Sequence, residues 1–245
     1  MKTALITGAN KSIGFEAARQ LLQNGYYVYL GSRDLQRGQQ AVDQLQTEGL
    51  SQVEPIQIDV ADSASVAAAR ETLGQKTKVL DVLINNAGIL GDPSQPPLTS
   101  SVSMIKEVFE TNVFGVIAVT QAFIDLLRES PEPRIVNVTS GLGSLTLHND
   151  PSWKYYPVKG AAYQPSKAAL NAYTIMLAYE LRDTPFKVNA VDPGYTATDF
   201  NHHSGPGTVS DAAARLVKAA MLGPDGPTSQ FFSDDNAPET GISPW

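Results

Sequence analysis

Short apolar or β-branched runs alternate along the chain with longer stretches of mixed polarity. Ala4-Leu5-Ile6, Tyr27 to Leu30, Pro55 to Ile58, Val79 to Ile84, Ile135 to Val138 and Val188 to Val191 have the character of strands, and a last short one falls around Ser229 to Phe232. Their cores do not alternate apolar with polar residues, the pattern expected when both faces of a strand are covered. The spacers carry helical periodicity and run to about 12 to 28 residues, enough for parallel crossovers. The pattern predicts an α/β fold: a doubly wound parallel β-sheet of about seven strands, flanked by helices on both faces.

Two segments break the rhythm. Residues 142–160 gather Leu, Gly, His, Pro, Trp, Lys and two Tyr without a period, and residues 195–208 hold His202-His203 and Gly205-Pro206-Gly207. Both read as loops lining a substrate site, while Gly223, Pro224, Gly226 and Pro227 punctuate the approach to the last strand. No repeat, low-complexity tract or charged block interrupts residues 1–245, and the length suits one α/β domain.

Composition narrows the function classes. With 18 Lys and Arg against 25 Asp and Glu, the net charge of −7 offers little attraction to nucleic acid or an anionic membrane surface. The absence of cysteine excludes disulfides, thiolate metal sites, iron–sulfur clusters and a cysteine nucleophile. Adjacent His202 and His203, with no third ligand nearby in sequence, do not suggest a metal site. No uncharged apolar run reaches membrane-spanning length and Met1-Lys2 leads straight into a strand, so the expectation is a cytoplasmic protein. Asn10-Lys11-Ser12 and Asn137-Val138-Thr139 match the glycosylation triplet by chance, the first inside a turn and the second inside a strand.

Two motifs carry chemistry. Thr7-Gly8-Ala9-Asn10-Lys11-Ser12-Ile13-Gly14 lies where the first strand hands over to a helix. A helix N-terminus presents unpaired N–H groups and a positive dipole end, and glycine lets a pyrophosphate come close. Tyr163 and Lys167 stand four residues apart, which puts them on one face of a helix. There an ammonium beside the phenol is expected to lower the phenol pKa and make it a usable proton donor. A hydride carrier beside such a phenol is the minimum apparatus for reducing a carbonyl.

Thr-Gly-x-x-x-Gly-x-Gly, Asn-Asn-Ala-Gly, Tyr-x-x-x-Lys and Pro-Gly, in that order over nearly the whole chain, resemble the short-chain dehydrogenase/reductase family and its Rossmann-like fold. Ser12 departs from the pattern, occupying the place of the family's middle glycine. At negative φ it is harmless; at positive φ it adds strain of order 1–3 kcal/mol. The resemblance implies that Gly8, Asn10, Lys11, Ser12, Ile13 and Gly14 hold the phosphates, Asp59 and Val60 contact adenine, and Asn86, Ala87 and Gly88 flank the ribose. Pro193, Gly194 and Thr196 would meet the nicotinamide, with Tyr195, Thr198 and Phe200 beginning a substrate-covering loop.

The second strand ends Leu30-Gly31-Ser32-Arg33-Asp34, with no acid placed to grip a ribose 2′-hydroxyl. NADP (NADPH) is therefore expected over NAD: Arg33 can pair a 2′-phosphate, Ser32 can donate to it, and Lys11 lies in the adjacent turn. Asp34 is expected to cap the helix beginning at Leu35.

The same resemblance implies four catalytic residues, Asn112, Ser140, Tyr163 and Lys167. Tyr163 would protonate the carbonyl oxygen, Ser140 would polarise it in preference to Thr139, Lys167 would bind the nicotinamide ribose, and Asn112 would support a water relay. Ser140 and Tyr163 are 23 residues apart, and the long interval holds Trp153, Tyr155 and Tyr156. It resembles the inserted flap, about 145–160, of the family's carbonyl reductases, as do Gly31-Ser32-Arg33-Asp34 and the ending Ile242-Ser243-Pro244-Trp245. The expected substrate is a bulky aldehyde or ketone, with those aromatics either lining its pocket or fixing the flap to the core. A 3-oxoacyl thioester reductase, an alcohol dehydrogenase and a non-catalytic redox sensor stay open as alternatives. Relatives pair through helices around residues 100–128 and 161–184, so monomer and homodimer are both compatible with the sequence.

Overall fold

A computed structural model describes all 245 residues. Strands β1 (Thr3–Ile6), β2 (Tyr27–Ser32), β3 (Val53–Gln57), β4 (Val82–Asn85), β5 (Arg134–Val138), β6 (Lys187–Val191) and β7 (Phe231–Phe232) form one parallel sheet in the order β3-β2-β1-β4-β5-β6-β7. Strand order reverses between β1 and β4, which opens a crevice at their carboxyl ends. The expected α/β sheet is present, with shifted ends: β3 starts two residues early, and β4 begins at Val82 instead of Val79. Just before β4, the Asp81 carboxylate accepts from Thr3 N–H at 2.7 Å and from the Ser130 hydroxyl at 2.7 Å. That carboxylate ties the base of the sheet together.

Helices α1 (Ser12–Gln23), α2 (Leu35–Thr47) and α7 (Val209–Ala220) cover one face, packing Leu21, Val42 and Leu216 on Ile6, Leu30 and Val136. Helices α3 (Ser63–Lys76), α5 (Gly115–Arg128) and α6 (Tyr163–Glu180) cover the other, packing Leu73, Phe123 and Ala178 on Leu5, Leu83 and Ile135. Successive residues of β1 thus enter opposite cores, the physical reason its run shows no polar alternation. Between α4 (Val102–Phe109) and α5 one π-helical turn, Glu110–Phe114, inserts Asn112. No helix is long and apolar enough to cross a membrane.

A buried ladder of amides runs beneath the crevice. Asn85 Nδ2 donates to Asn137 Oδ1 at 2.9 Å and Thr120 Oγ1 at 3.1 Å, and Asn137 Nδ2 donates to Thr174 Oγ1 of α6 at 2.9 Å. Asn137 is fully buried, so the folded protein gives no access to its glycosylation triplet. Replacing Asn137 with Val should lower the unfolding free energy by about 1–3 kcal/mol, because its neighbours then lose buried partners. Urea denaturation showing no change would refute a stabilising role for this ladder.

Candidate functional site

The glycine turn is held by the neighbouring strand end. Thr7 Oγ1 accepts from Asn86 N and Ala87 N, both at 3.0 Å, and Asn86 Nδ2 donates to the carbonyls of Thr7 (2.9 Å) and Gly8 (3.1 Å). Gly8 has φ +63°, and a Cβ on Gly14 would stand 2.5 Å from Asn86 Nδ2, so both positions require glycine. Ser12 has φ +52°, the left-handed region in which its side chain is strained. The bonds from Thr7 and Asn86 fix the strand end from which this turn departs.

At the outer end of the crevice, Asp34 caps α2 as expected, accepting from Gln36 N and Arg37 N. Ser32 is buried with its hydroxyl donating to Asp34 O at 2.8 Å, so the donor expected for a phosphate is already engaged. Arg33 has no carboxylate partner within the chain, whereas Lys11 Nζ lies 3.2 Å from Asp199 across the crevice. Arg37 also faces this end, with Lys11, beside a polar hollow of about 320 Å³.

Inward from there the crevice widens into a cleft of about 1210 Å³ that holds every expected nucleotide contact together with Ser140, Tyr163 and Lys167. Ser140, two residues past the end of β5, lines the cleft, its Oγ accepting from Leu142 N at 3.2 Å. Thr139 is buried and its hydroxyl reaches Lys167 O at 3.4 Å. Lys167 Nζ donates to Val138 O at 2.8 Å and sits 5.8 Å from the centre of the Tyr163 ring. Burial brings the Lys167 amine down to about 8.

The expected lowering of the Tyr163 pKa is not what the geometry produces. Burial pushes the phenol above its ordinary value, the Ser140 hydroxyl works against that rise, and Asp192 adds to it. Lys167 turns its ammonium to a backbone carbonyl and does not offset the desolvation. Asn112 lies on the π-helical turn. Its side chain is fully buried, accepting from Ile89 N (2.8 Å) and donating to Ile89 O (2.9 Å) and Ser166 Oγ (3.1 Å), and it does not line the cleft.

A family model described as short chain dehydrogenase matches residues 2–208. The chain belongs to that family. It is 36% identical to (−)-isopiperitenone reductase of Mentha piperita over 96% of each chain. Among solved structures it resembles salutaridine reductase of Papaver somniferum (TM-score 0.82, 30% identity, covering 96% of this chain and 100% of that one). It also resembles an NADPH-bound carbonyl reductase from chicken fatty liver (TM-score 0.82, 26% identity, covering 100% and 99%). This short-chain dehydrogenase is therefore an oxidoreductase with relatives named as reductases.

The aromatics of residues 145–160 divide between the core and the cleft. Trp153 is buried edge-on against His148 and Tyr155 and donates to Asn236 Oδ1 at 3.2 Å, fixing this segment to the C-terminal one. Tyr155 and Val158 reach the cleft, and Tyr155 OH donates to Asp235 at 2.9 Å. In the 195–208 loop Phe200 lies 5.6 Å from the Tyr163 ring, and His203 Nε2 meets Asp199 at 3.0 Å. Sequence reasoning passed over Arg37 and Asp192. Asp192 is a buried carboxyl raised by desolvation, accepting from Ser233 Oγ at 2.6 Å and Gly194 N at 2.9 Å. Its only sequence mark was its place just before Pro193-Gly194.

The depressed Lys167 predicts a pH dependence of stability. Well below pH 8 the lysine is protonated in both folded and unfolded chains. Between about 8 and 10.5 the unfolded chain binds more protons, so this group makes stability rise with pH. The unfolding free energy of the parent relative to Lys167→Met should increase by about 2 kcal/mol from pH 8 to pH 10, measured by denaturant titration. A flat or falling difference would show that the amine is not desolvated.

Proposed function

We propose that this enzyme reduces a bulky ketone or aldehyde to an alcohol, with NADPH as hydride donor and Tyr163 as proton donor. The observation that carries the reading is the meeting of Tyr163, Ser140 and Lys167 in one cleft continuous with the glycine turn. The residues present fit a phosphorylated dinucleotide: Gly8 and Asn10 to Gly14 line the cleft, and Arg33 beside them stands without an acid partner. Arg33, with Arg37 and Lys11 nearby, would hold a 2′-phosphate, and Asp59, Val60 and the Asn86 to Gly88 segment would flank the adenosine half. Pro193, Gly194 and Thr196 would border the nicotinamide. When bound, NADPH supplies the hydride.

The chain's own groups supply the rest. Tyr163 carries its proton at neutral pH because burial disfavours the phenolate, which suits an acid in the reductive direction. Ser140 Oγ polarises the carbonyl oxygen from the cleft wall, and Lys167 holds a ribose hydroxyl while keeping positive charge near the phenol. Asn112 acts through backbone and Ser166 contacts, steadying the first turn of α6. Leu90, Leu142, Val158, Tyr195 and Phe200 make the substrate end apolar, which favours a bulky carbonyl compound. The names of the relatives, reductases and a carbonyl reductase among them, lend support to reduction.

Tyr163→Phe should lower kcat by about 10²–10⁴-fold while leaving NADPH affinity intact, as read by steady-state kinetics and cofactor fluorescence titration. Unchanged turnover would remove Tyr163 from the chemistry. The catalytic efficiency with NADPH should exceed that with NADH, and Arg33→Ala should erase the difference; a native preference for NADH would overturn the nucleotide assignment. Both are best measured on a panel of ketones, aldehydes and acyl thioesters, which also reads the substrate class.

A further inference from the structure

Helix α6 delivers Tyr163 yet begins without a cap of its own. Ala162 precedes it, no local side chain accepts from its first turn, and Pro165 has no N–H to offer. The acceptor comes from the loop between β4 and α4. Gln95, only 8% exposed, takes Ala162 N at 3.2 Å and Tyr163 N at 3.0 Å on Oε1. Its Nε2 donates to Leu90 O at 2.7 Å and Asp92 O at 2.8 Å. Because the four partners are two donors and two acceptors, the amide has one workable orientation. Its backbone carbonyl adds a bond from Ala161 N at 2.8 Å.

Glycines make the room. A Cβ on Gly160 would stand 3.1 Å from Gln95 Oε1, and Gly91, at φ +81°, would bring one within 3.3 Å of Nε2. The segment gripped by Nε2 includes Leu90, and Pro93 is nearby; both line the cleft. One buried side chain therefore spans the substrate wall and the backbone of the proton donor.

We propose that Gln95 is a positioning residue that sets Tyr163 against the carbonyl and registers the Leu90 wall to it. The inference rests on the proposed role of Tyr163 and assigns the amide two separable halves. The acceptor half orients the catalytic helix, where a misplacement of about 1 Å costs on the order of 10²-fold in rate. The donor half shapes the substrate wall.

The test is a double-mutant cycle at saturating NADPH, with kcat and KM for a bulky ketone read for Gln95→Leu, Gln95→Glu and each combined with Tyr163→Phe. Gln95→Leu should lower kcat by about 10–100-fold with NADPH affinity unchanged, and should produce no further loss in the Tyr163→Phe background. Gln95→Glu keeps an acceptor for the two N–H groups and loses the donor, so kcat should stay within about threefold of the parent while KM rises. If Gln95→Leu does not fold, Gln95→Asn, too short to span both sides, takes its place in the cycle. Losses that multiply across the cycle, an unchanged kcat in the folded Leu or Asn variant, or equal kcat losses in the Glu and Leu variants would overturn the role of Gln95 alone. Full turnover in Tyr163→Phe by itself would overturn the proton-donor reading and this role with it.

Discussion

Two neighbouring strands end side by side, and the pins between those ends set the rest of the site. Thr7 N donates to Ile84 O at 3.0 Å, the Thr7 hydroxyl takes two N–H groups from the segment after β4, and Asn86 returns two bonds to the carbonyls of Thr7 and Gly8. The path of the glycine turn is thereby decided by its neighbour as much as by its own residues. This explains how the turn keeps its shape with Ser12 in the left-handed region. Strain of order 1–3 kcal/mol survives where surrounding bonds over-determine the backbone.

From those strand ends the same logic passes inward. Asn85 and Asn137 link β4 and β5, and Thr174 carries the link to α6. At the start of α6, Ser166 donates to Tyr163 O at 2.7 Å and receives from Asn112. Side chains that perform chemistry need second contacts that lock them on rigid elements. Here those contacts are mostly amides, which can donate and accept at once and so bridge two backbones through one side chain.

The sheet was legible because burial on both faces leaves an unmistakable mark: Ala4, Leu5 and Ile6 are all apolar since each meets one core or the other. Glycine positions and the Tyr163–Lys167 spacing were legible for a similar reason, each being a local rule of backbone or helix geometry. What sequence could not show was how polar groups are shared out. The Ser32 hydroxyl looked free for a phosphate and is taken by Asp34 O. Lys167 looked like a partner for the phenol and is turned to Val138 O. The partners of the Asn112 side chain, Ile89 and Ser166, were equally out of sight. Each outcome depends on contacts between segments distant in the chain, and no periodicity encodes those. Gln95, in a Pro- and Ser-rich loop, carries no motif at all.

Three departures from ordinary folding rules meet at the cleft. Ser12 sits at positive φ, Lys167 is buried with a single carbonyl acceptor, and Asp192 is a buried carboxyl raised by desolvation. Burying an ionisable group without a compensating charge disfavours its charged form. For the fold alone, apolar residues of similar volume would serve better at positions 167 and 192. Elsewhere the two cores follow the rules closely, with Phe123, Leu83, Ile84 and Leu30 fully buried in well-covered layers. Ser229 at φ +58° and Arg134, buried at the start of β5 with Nη2 unpartnered, depart from the same rules outside the cleft. Three such departures meeting at the carboxyl ends of β1, β5 and β6 nevertheless mark a place where the chain answers to chemistry as well as to packing.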